Sequence, residues 1–301
     1  MNYRCLLVGF MLGLPCVPAY SQDMPLTQVL IEGEGWELLG EGYDFTEGPA
    51  VDADGNVFFT DVPKSKIYKI DTAGKISLFA EETARTNGLM FGPDGRLYGC
   101  RNGEKKIVAY NKDGSFATIA EDVTCNDIVV NSKGEVYFTD PLNKQVWFVS
   151  REGKKRVVAK GFRPNGIILW PQEGTLVVTD SDAPHLWTFR VEPDGGLSFK
   201  ERYYMPLTLP SGAKRPGSDG MAVDDAGRLY VATLAGVQMF DPTGRKGGVI
   251  AKPQRRFLSN VVFGGPRFNT MFVTCSDKIY HRKVKPTGTP YFLRNAKKTK
   301  E

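Results

Sequence analysis

Apolar positions in this chain fall in short runs closed by turns, and the 3.6-residue spacing of a helix is hard to find after the first two dozen residues. The stretch "TEGPAVDADGNVFFTD", Thr46 to Asp61, sets the pattern: an alternating apolar run, a turn at Asp54-Gly55, and a β-rich run. Five segments repeat it, beginning "TNGLMF" at Thr86, "CNDIVV" at Cys125, "PNGIIL" at Pro164, "SDGMAV" at Ser218 and "SNVVFG" at Ser259. Aligned on their second residues, they put Glu47, Asn87, Asn126, Asn165, Asp219 and Asn260 at one repeat position, with steps of 40, 39, 39, 54 and 41. That period is the length of a propeller blade, roughly 40 to 50 residues. Third runs such as "KIYKID" and "QVWFVS", and fourth runs such as "ISLFAEE", give four strands to a unit. The pattern predicts an all-β chain, a six-bladed β-propeller of four-stranded antiparallel blades, in which ring closure leaves only short edges. The last unit runs out near "KIYHRKVK", so a strand within "TQVLIEGEGWELLGE" is expected to complete it.

The repeat position matters because the first strand of a blade lines the central channel. Six residues far apart in sequence would then meet at one mouth, reading Glu, Asn, Asn, Asn, Asp, Asn. Two carboxylates and four amides form a ring of oxygen donors, which suits a hard divalent cation, Ca²⁺ first, with Mg²⁺ or Mn²⁺ as other occupants. Zn²⁺ in a His-rich site is disfavoured, since the two histidines, His185 and His281, lie at neither end of this pattern. The competing reading is local: Asn and Asp before Gly are ordinary turn formers, and six such turns need no ligand. The "TD" pairs ending second strands, at Asp61, Asp140 and Asp180, are expected to fix blade turns, and Phe58, Tyr98, Tyr137 and Tyr230 to fill the space between blades. The long fourth step holds "RYYMPLTLPSGAKRPGS", a candidate lid over the mouth.

Composition narrows the classes. With 41% hydrophobic and 24% charged residues the chain can bury a core, and a net charge of +5, with no basic run among aromatics except the terminal "NAKKTK", gives little support to a nucleic-acid role. Residues 1–21 carry Arg4, an interrupted apolar stretch and an Ala19-x-Ser21 signal, and are expected to be a cleaved signal peptide. The organisation that follows is a segment at 22–40 closing the last blade, a propeller over 41–290 and a basic tail at 291–301, secreted or periplasmic and with no membrane association after cleavage. No oligomer is indicated. Beyond the leader, Cys100, Cys125 and Cys275 are widely spaced and odd in number, so three free buried thiols are expected over a single bridge.

The combination of "TEGPAVDADGNVFFTD", "CNDIVVNSKGEVYFTDP", "PNGIILWPQEGTLVVTDS" and "SDGMAVDDAGRLYVAT" resembles the SMP-30/gluconolactonase/LRE-like family of six-bladed propellers, over about Glu41 to Lys285. The resemblance implies a divalent cation, commonly calcium, with Mg²⁺, Mn²⁺ or Zn²⁺ as alternatives, held by Glu47, Asn165 and Asp219. It further implies hydrolysis of a small sugar lactone, with Asn126 contacting metal or substrate. On chemical grounds Asp219 is the candidate proton acceptor and Asp127 a second, with capping of the strand entry as its alternative; Asn87 and Asp127 are placed with Asn126 on the substrate side. Many such lactonases carry an Arg two residues before the asparagine of N-D, where this chain has Thr124; Arg101 could replace it or could simply support a turn. The alternatives are another metal-dependent ester or phosphotriester hydrolase on the same ring, and a binding propeller without catalysis.

Overall fold

The computed structural model describes residues 26–288 and 290. The expected leader and basic tail lie outside the described residues. Twenty-four strands form six separate antiparallel sheets of four. β1 (Glu37–Glu41) comes first in the chain and belongs to the last blade. Blade one holds β2 (Thr46–Val51), β3 (Val57–Asp61), β4 (Lys66–Ile70) and β5 (Ile76–Ala80). Blade two holds β6 (Thr86–Phe91), β7 (Leu97–Arg101), β8 (Lys106–Tyr110) and β9 (Phe116–Glu121). Blade three holds β10 (Ile128–Val130), β11 (Val136–Asp140), β12 (Gln145–Val149) and β13 (Lys155–Lys160). Blade four holds β14 (Pro164–Leu169), β15 (Thr175–Asp180), β16 (Leu186–Val191) and β17 (Leu197–Glu201). Blade five holds β18 (Met221–Val223), β19 (Leu229–Thr233), β20 (Gly236–Phe240) and β21 (Lys246–Ile250). Blade six holds β22 (Asn260–Gly264), β23 (Thr270–Cys275) and β24 (Lys278–Lys283), with β1 on its outer edge through Leu38↔Tyr280 and Glu41↔Lys278. Among the described residues there is no α-helix, and so none long and apolar enough to cross a membrane.

Second strands read as unbroken runs because neighbouring blades cover both of their faces: every residue of β3, β7, β11 and β19 is buried. Outer strands face water on one side, and β9, β13 and β17 are largely exposed. Phe58, Tyr98, Tyr137 and Tyr230 are all buried as expected. Phe58 meets Phe91 of the next blade edge-on at 5.1 Å, and Tyr230 meets Phe263 at 5.2 Å, so aromatic pairs join blade to blade. The "TD" aspartates do fix turns: Asp61 accepts from the Asp44 and Phe45 N–H groups, Asp140 from Asn143, and Asp180 from Asp182 and Trp187.

The insertion after β17 is less of a lid than its length suggests. Tyr204 and Leu207 are buried against Phe240, Thr208 trades two hydrogen bonds of 2.8 Å with the Gln238 side chain, and Met205 N–H reaches the Gly244 carbonyl. That half is a strap sealing blade four to blade five. Exposed residues such as Lys214 and Arg215 then lie in the stretch that returns to the mouth before Asp219.

The cysteine expectation is corrected. Cys100 and Cys125 form a disulfide with Cα atoms 5.2 Å apart, leaving Cys275 buried and free. They lie 25 residues apart in sequence, but β8 and β9 carry the chain out to the edge of blade two and back between them. The end of β7 thereby meets the start of the next unit.

Candidate metal and substrate site

The six repeat residues begin six inner strands or directly precede them, at one end of the channel. Behind them runs an apolar cavity of about 120 Å³ lined by Pro49, Leu89, Ile128, Ile167, Met221 and Val261, with Asp127 and Asn260 also on its wall. Pro290 also lies on its wall, two residues beyond Gly288, which bridges Asp224 just after β18.

Glycine explains how tightly this end closes, and in a way turn chemistry does not. A Cβ on Gly166, after Asn165, would sit 2.0 Å from the Asp219 carbonyl oxygen of the next blade. One on Gly48, whose φ is +46°, would sit 2.3 Å from the Asn87 carbonyl. Each glycine lets its blade press against the next repeat residue, so the motif serves close approach around the ring. Backbone bonds fasten the same steps: Gly88 N–H donates to the Asn126 carbonyl at 2.8 Å and Gly220 N–H to that of Ser259 at 2.9 Å. Buried threonines of second strands add side-chain ties, Thr139 Oγ1 to the Asn165 carbonyl at 2.6 Å and Thr60 Oγ1 to that of Asn87 at 3.2 Å. Sequence reading treated these threonines only as partners of aspartate; their repeat at one strand position was the available signal.

Three carboxylates converge here without a cation of the protein's own. Glu47, Asp127 and Asp219 are 4 to 7% exposed. Burial, then the charge of Asp127, pushes Glu47 up to about 8, against the Gly48 N–H and Asn260. Burial pushes Asp127 up to about 7, against Asn260, whose Nδ2 stands 3.5 Å from its Oδ2. Asp219 is raised by burial and by the charges of Glu47 and Asp127, against Asn165 and the Gly220 N–H. The amides complement them: Asn87 Oδ1 and Asn165 Oδ1 are buried with no hydrogen-bond partner. Acceptors left bare in a protein interior are costly unless something positive meets them. Among the described residues no group of three or more His, Cys, Asp or Glu could hold a metal by itself, so any cation here needs the amides. Two orphaned amide oxygens beside buried carboxylates fit a hard divalent ion.

Arg101 is engaged elsewhere. Its guanidinium donates to the Glu82 carbonyl and Glu104 at 2.9 Å and to Tyr110 at 3.4 Å, and lies 4.4 Å over the Phe116 ring. It ends β7 as a strut of blade two.

The chain matches the SMP-30/gluconolactonase/LRE-like region over residues 45–277. It belongs to that family. A gluconolactonase of Zymomonas mobilis is 25% identical over 300 residues, covering 84% of this chain and 82% of its own. Lactonase drp35 of Staphylococcus aureus is 30% identical over 270 residues, with 79% and 78% covered. In the solved structures a gluconolactonase from Xanthomonas campestris superposes with a TM-score of 0.73 at 23% identity, covering 84% of this chain and 91% of its own. A calcium-binding regucalcin from Agrobacterium tumefaciens gives 0.73 at 16%, with 85% and 96% covered. At these identities the two structures speak for the fold.

Proposed function

We propose that this family member is an exported, divalent-cation-dependent lactonase that opens a small sugar lactone at the polar mouth. The observation that carries it is the meeting of buried Glu47, Asp127 and Asp219 with the orphaned amide oxygens of Asn87 and Asn165. Lactone hydrolysis by two curated relatives, and calcium binding by one structural neighbour, support the same reading. The Cys100–Cys125 disulfide supports export, because such bonds persist in oxidising compartments.

Glu47, Asn165 and Asp219 would hold the cation, Ca²⁺ by the preference of an all-oxygen set, with Mg²⁺, Mn²⁺ or Zn²⁺ in competition. When bound, the ion supplies Lewis acidity that polarises the lactone carbonyl and eases the ionisation of water. Asp219 accepts the proton of the attacking water at a carboxylate oxygen and returns it to the ring oxygen as the acyl C–O bond breaks, giving the open hydroxy acid. Asp127, whose carboxylate faces Asn260 on the same mouth, is the second acceptor. The Asn126 and Asn87 amides orient the sugar hydroxyls, and the apolar wall behind them keeps bulk water to one side.

A lactone panel assayed with chelator, and then with each cation restored, tests this. Turnover should vanish with chelator and return with Ca²⁺, and Glu47→Ala or Asp219→Ala should cost roughly 10²- to 10⁴-fold in kcat/KM. Chelator-insensitive turnover would overturn the mechanism; cation binding without turnover of any lactone would favour the phosphotriester or binding readings.

A further inference from the structure

We propose that the Cys100–Cys125 disulfide is a positioning device for Asn126 and Asp127, so that its reduction slows hydrolysis while the propeller stays folded. This rests on the mouth being the active site. Cys125 immediately precedes Asn126, and Cys100 is the penultimate residue of β7 in the neighbouring blade. Both are buried, at 1% and 0% exposure.

The cross-link falls in one of the two blades whose inner strand begins only after the repeat residue. In blades one, two, four and six the repeat residue lies inside its inner strand, within β2, β6, β14 and β22. In blade three β10 begins only at Ile128, and Asn126 and Asp127 stand ahead of it. Their own blade holds them through one residue: Asn126 N–H donates to the Thr139 carbonyl at 2.8 Å, Asp127 N–H to Thr139 Oγ1 at 3.1 Å, and Thr139 N–H to the Asp127 carbonyl at 3.0 Å. Towards blade two, Gly88 N–H donates to the Asn126 carbonyl at 2.8 Å, Cys125 N–H meets Asn102 Oδ1 at 3.1 Å, and the disulfide adds a covalent tie one residue from the site. The far end of that tie is stiff, because the next residue is Arg101 with its bonds to Glu82, Glu104 and Tyr110. Blade five shows the contrast. Asp219 also stands ahead of its strand, and the residue before it, Ser218, is held by a hydrogen bond to the Asp180 carbonyl. Movement at Asp127 reaches across the ring, since its carboxylate faces Asn260 and its charge acts on Glu47.

The test compares the oxidised enzyme with the same protein treated with a water-soluble phosphine. The phosphine takes oxygen from water to become its oxide, and the disulfide gains two electrons and two protons to give two thiols, confirmed by a thiol count that rises by two. We expect kcat to fall about tenfold or more, since a misplacement of about 1 Å can cost on the order of 10²-fold. Ca²⁺ affinity of the chelator-stripped protein, measured by calorimetry, should fall by much less than kcat, because Glu47, Asn165 and Asp219 lie on other blades and Asp127 reaches them only through its charge; that split between turnover and cation binding is one that general loosening would not produce. Reoxidation should restore the rate, and Cys100→Ala/Cys125→Val should match the reduced enzyme and ignore the phosphine. Unchanged kcat after reduction, or parallel loss of cation affinity and turnover, would overturn the proposal. An oxidised enzyme that opens no lactone at all would sink the hydrolase reading itself.

Discussion

Single residues at the mouth are fixed by contacts between blades more than by contacts within them. Gly166 is the clearest case, because its missing Cβ is what admits the Asp219 carbonyl. Gly166→Ala should destabilise the protein by about 1–3 kcal/mol, the usual cost of forcing a methyl into a filled interior, and lower kcat/KM by displacing Asp219. Gly174→Ala is the control: it lies in a turn of the same blade with nothing within 4 Å of the added atom, and should leave both melting temperature and rate in place. Equal behaviour of the two variants would show that Gly166 is an ordinary turn glycine. The "NG" and "DG" pairs were legible as recurring features, and the identity of the ring members followed from their spacing. Their reason was not legible, because the atoms that Gly48 and Gly166 avoid belong to Asn87 and Asp219, 39 and 53 positions away. Separations of 26 and 25 residues hid the Thr139 tie to Asn165 and the partner of Cys125 in the same way.

Strands were the level at which sequence spoke most directly. Second strands such as "VFFTD" and "VYFTD" are buried throughout because blades cover both their faces, and their three leading apolar residues, repeated, are the propeller's signature. The insertion after β17 spoke ambiguously: length alone suggested a lid, whereas Tyr204 and Leu207 make its first half part of the core. Closure rests on an element with little signature of its own. β1 is short and mostly exposed, yet its ladder to β24 is the strand pairing that joins the N-terminal part of the described chain to its last blade. Deleting residues up to Glu41 exposes the edge of β24 and removes the Lys278–Glu41 ion pair. The truncated protein should melt lower and aggregate on heating, as expected for an unpaired edge strand. A truncated chain with unchanged melting temperature and solubility would show that contacts between β2 and β22 alone close the ring.

For the whole molecule, the proposed cation site would make folding, proton binding and cation binding draw on the same carboxylates. Glu47 is raised from 4.5 to about 8 and Asp127 from 3.8 to about 7, so without a cation the folded protein holds protons that the unfolded chain has released. Stability therefore carries these groups' full contribution below about pH 4 and loses it as pH rises through about 7 to 8. A cation reverses the preference, because it binds the ionised forms and must displace those protons. Chelator-treated protein should lose melting temperature between pH 5 and 8, and Glu47→Gln, which cannot ionise, should flatten much of that slope. Added Ca²⁺ should raise the melting temperature strongly at pH 8 and weakly at pH 5, where protons compete; at 100 times its dissociation constant the stabilisation is about 2.7 kcal/mol. Scanning calorimetry at the two pH values, with and without Ca²⁺ for wild type and Glu47→Gln, measures each of these shifts. A chelated wild type that grows more stable from pH 5 to 8, or a Ca²⁺ shift of equal size at both, would mean that the buried carboxylates are not where protons and the cation meet.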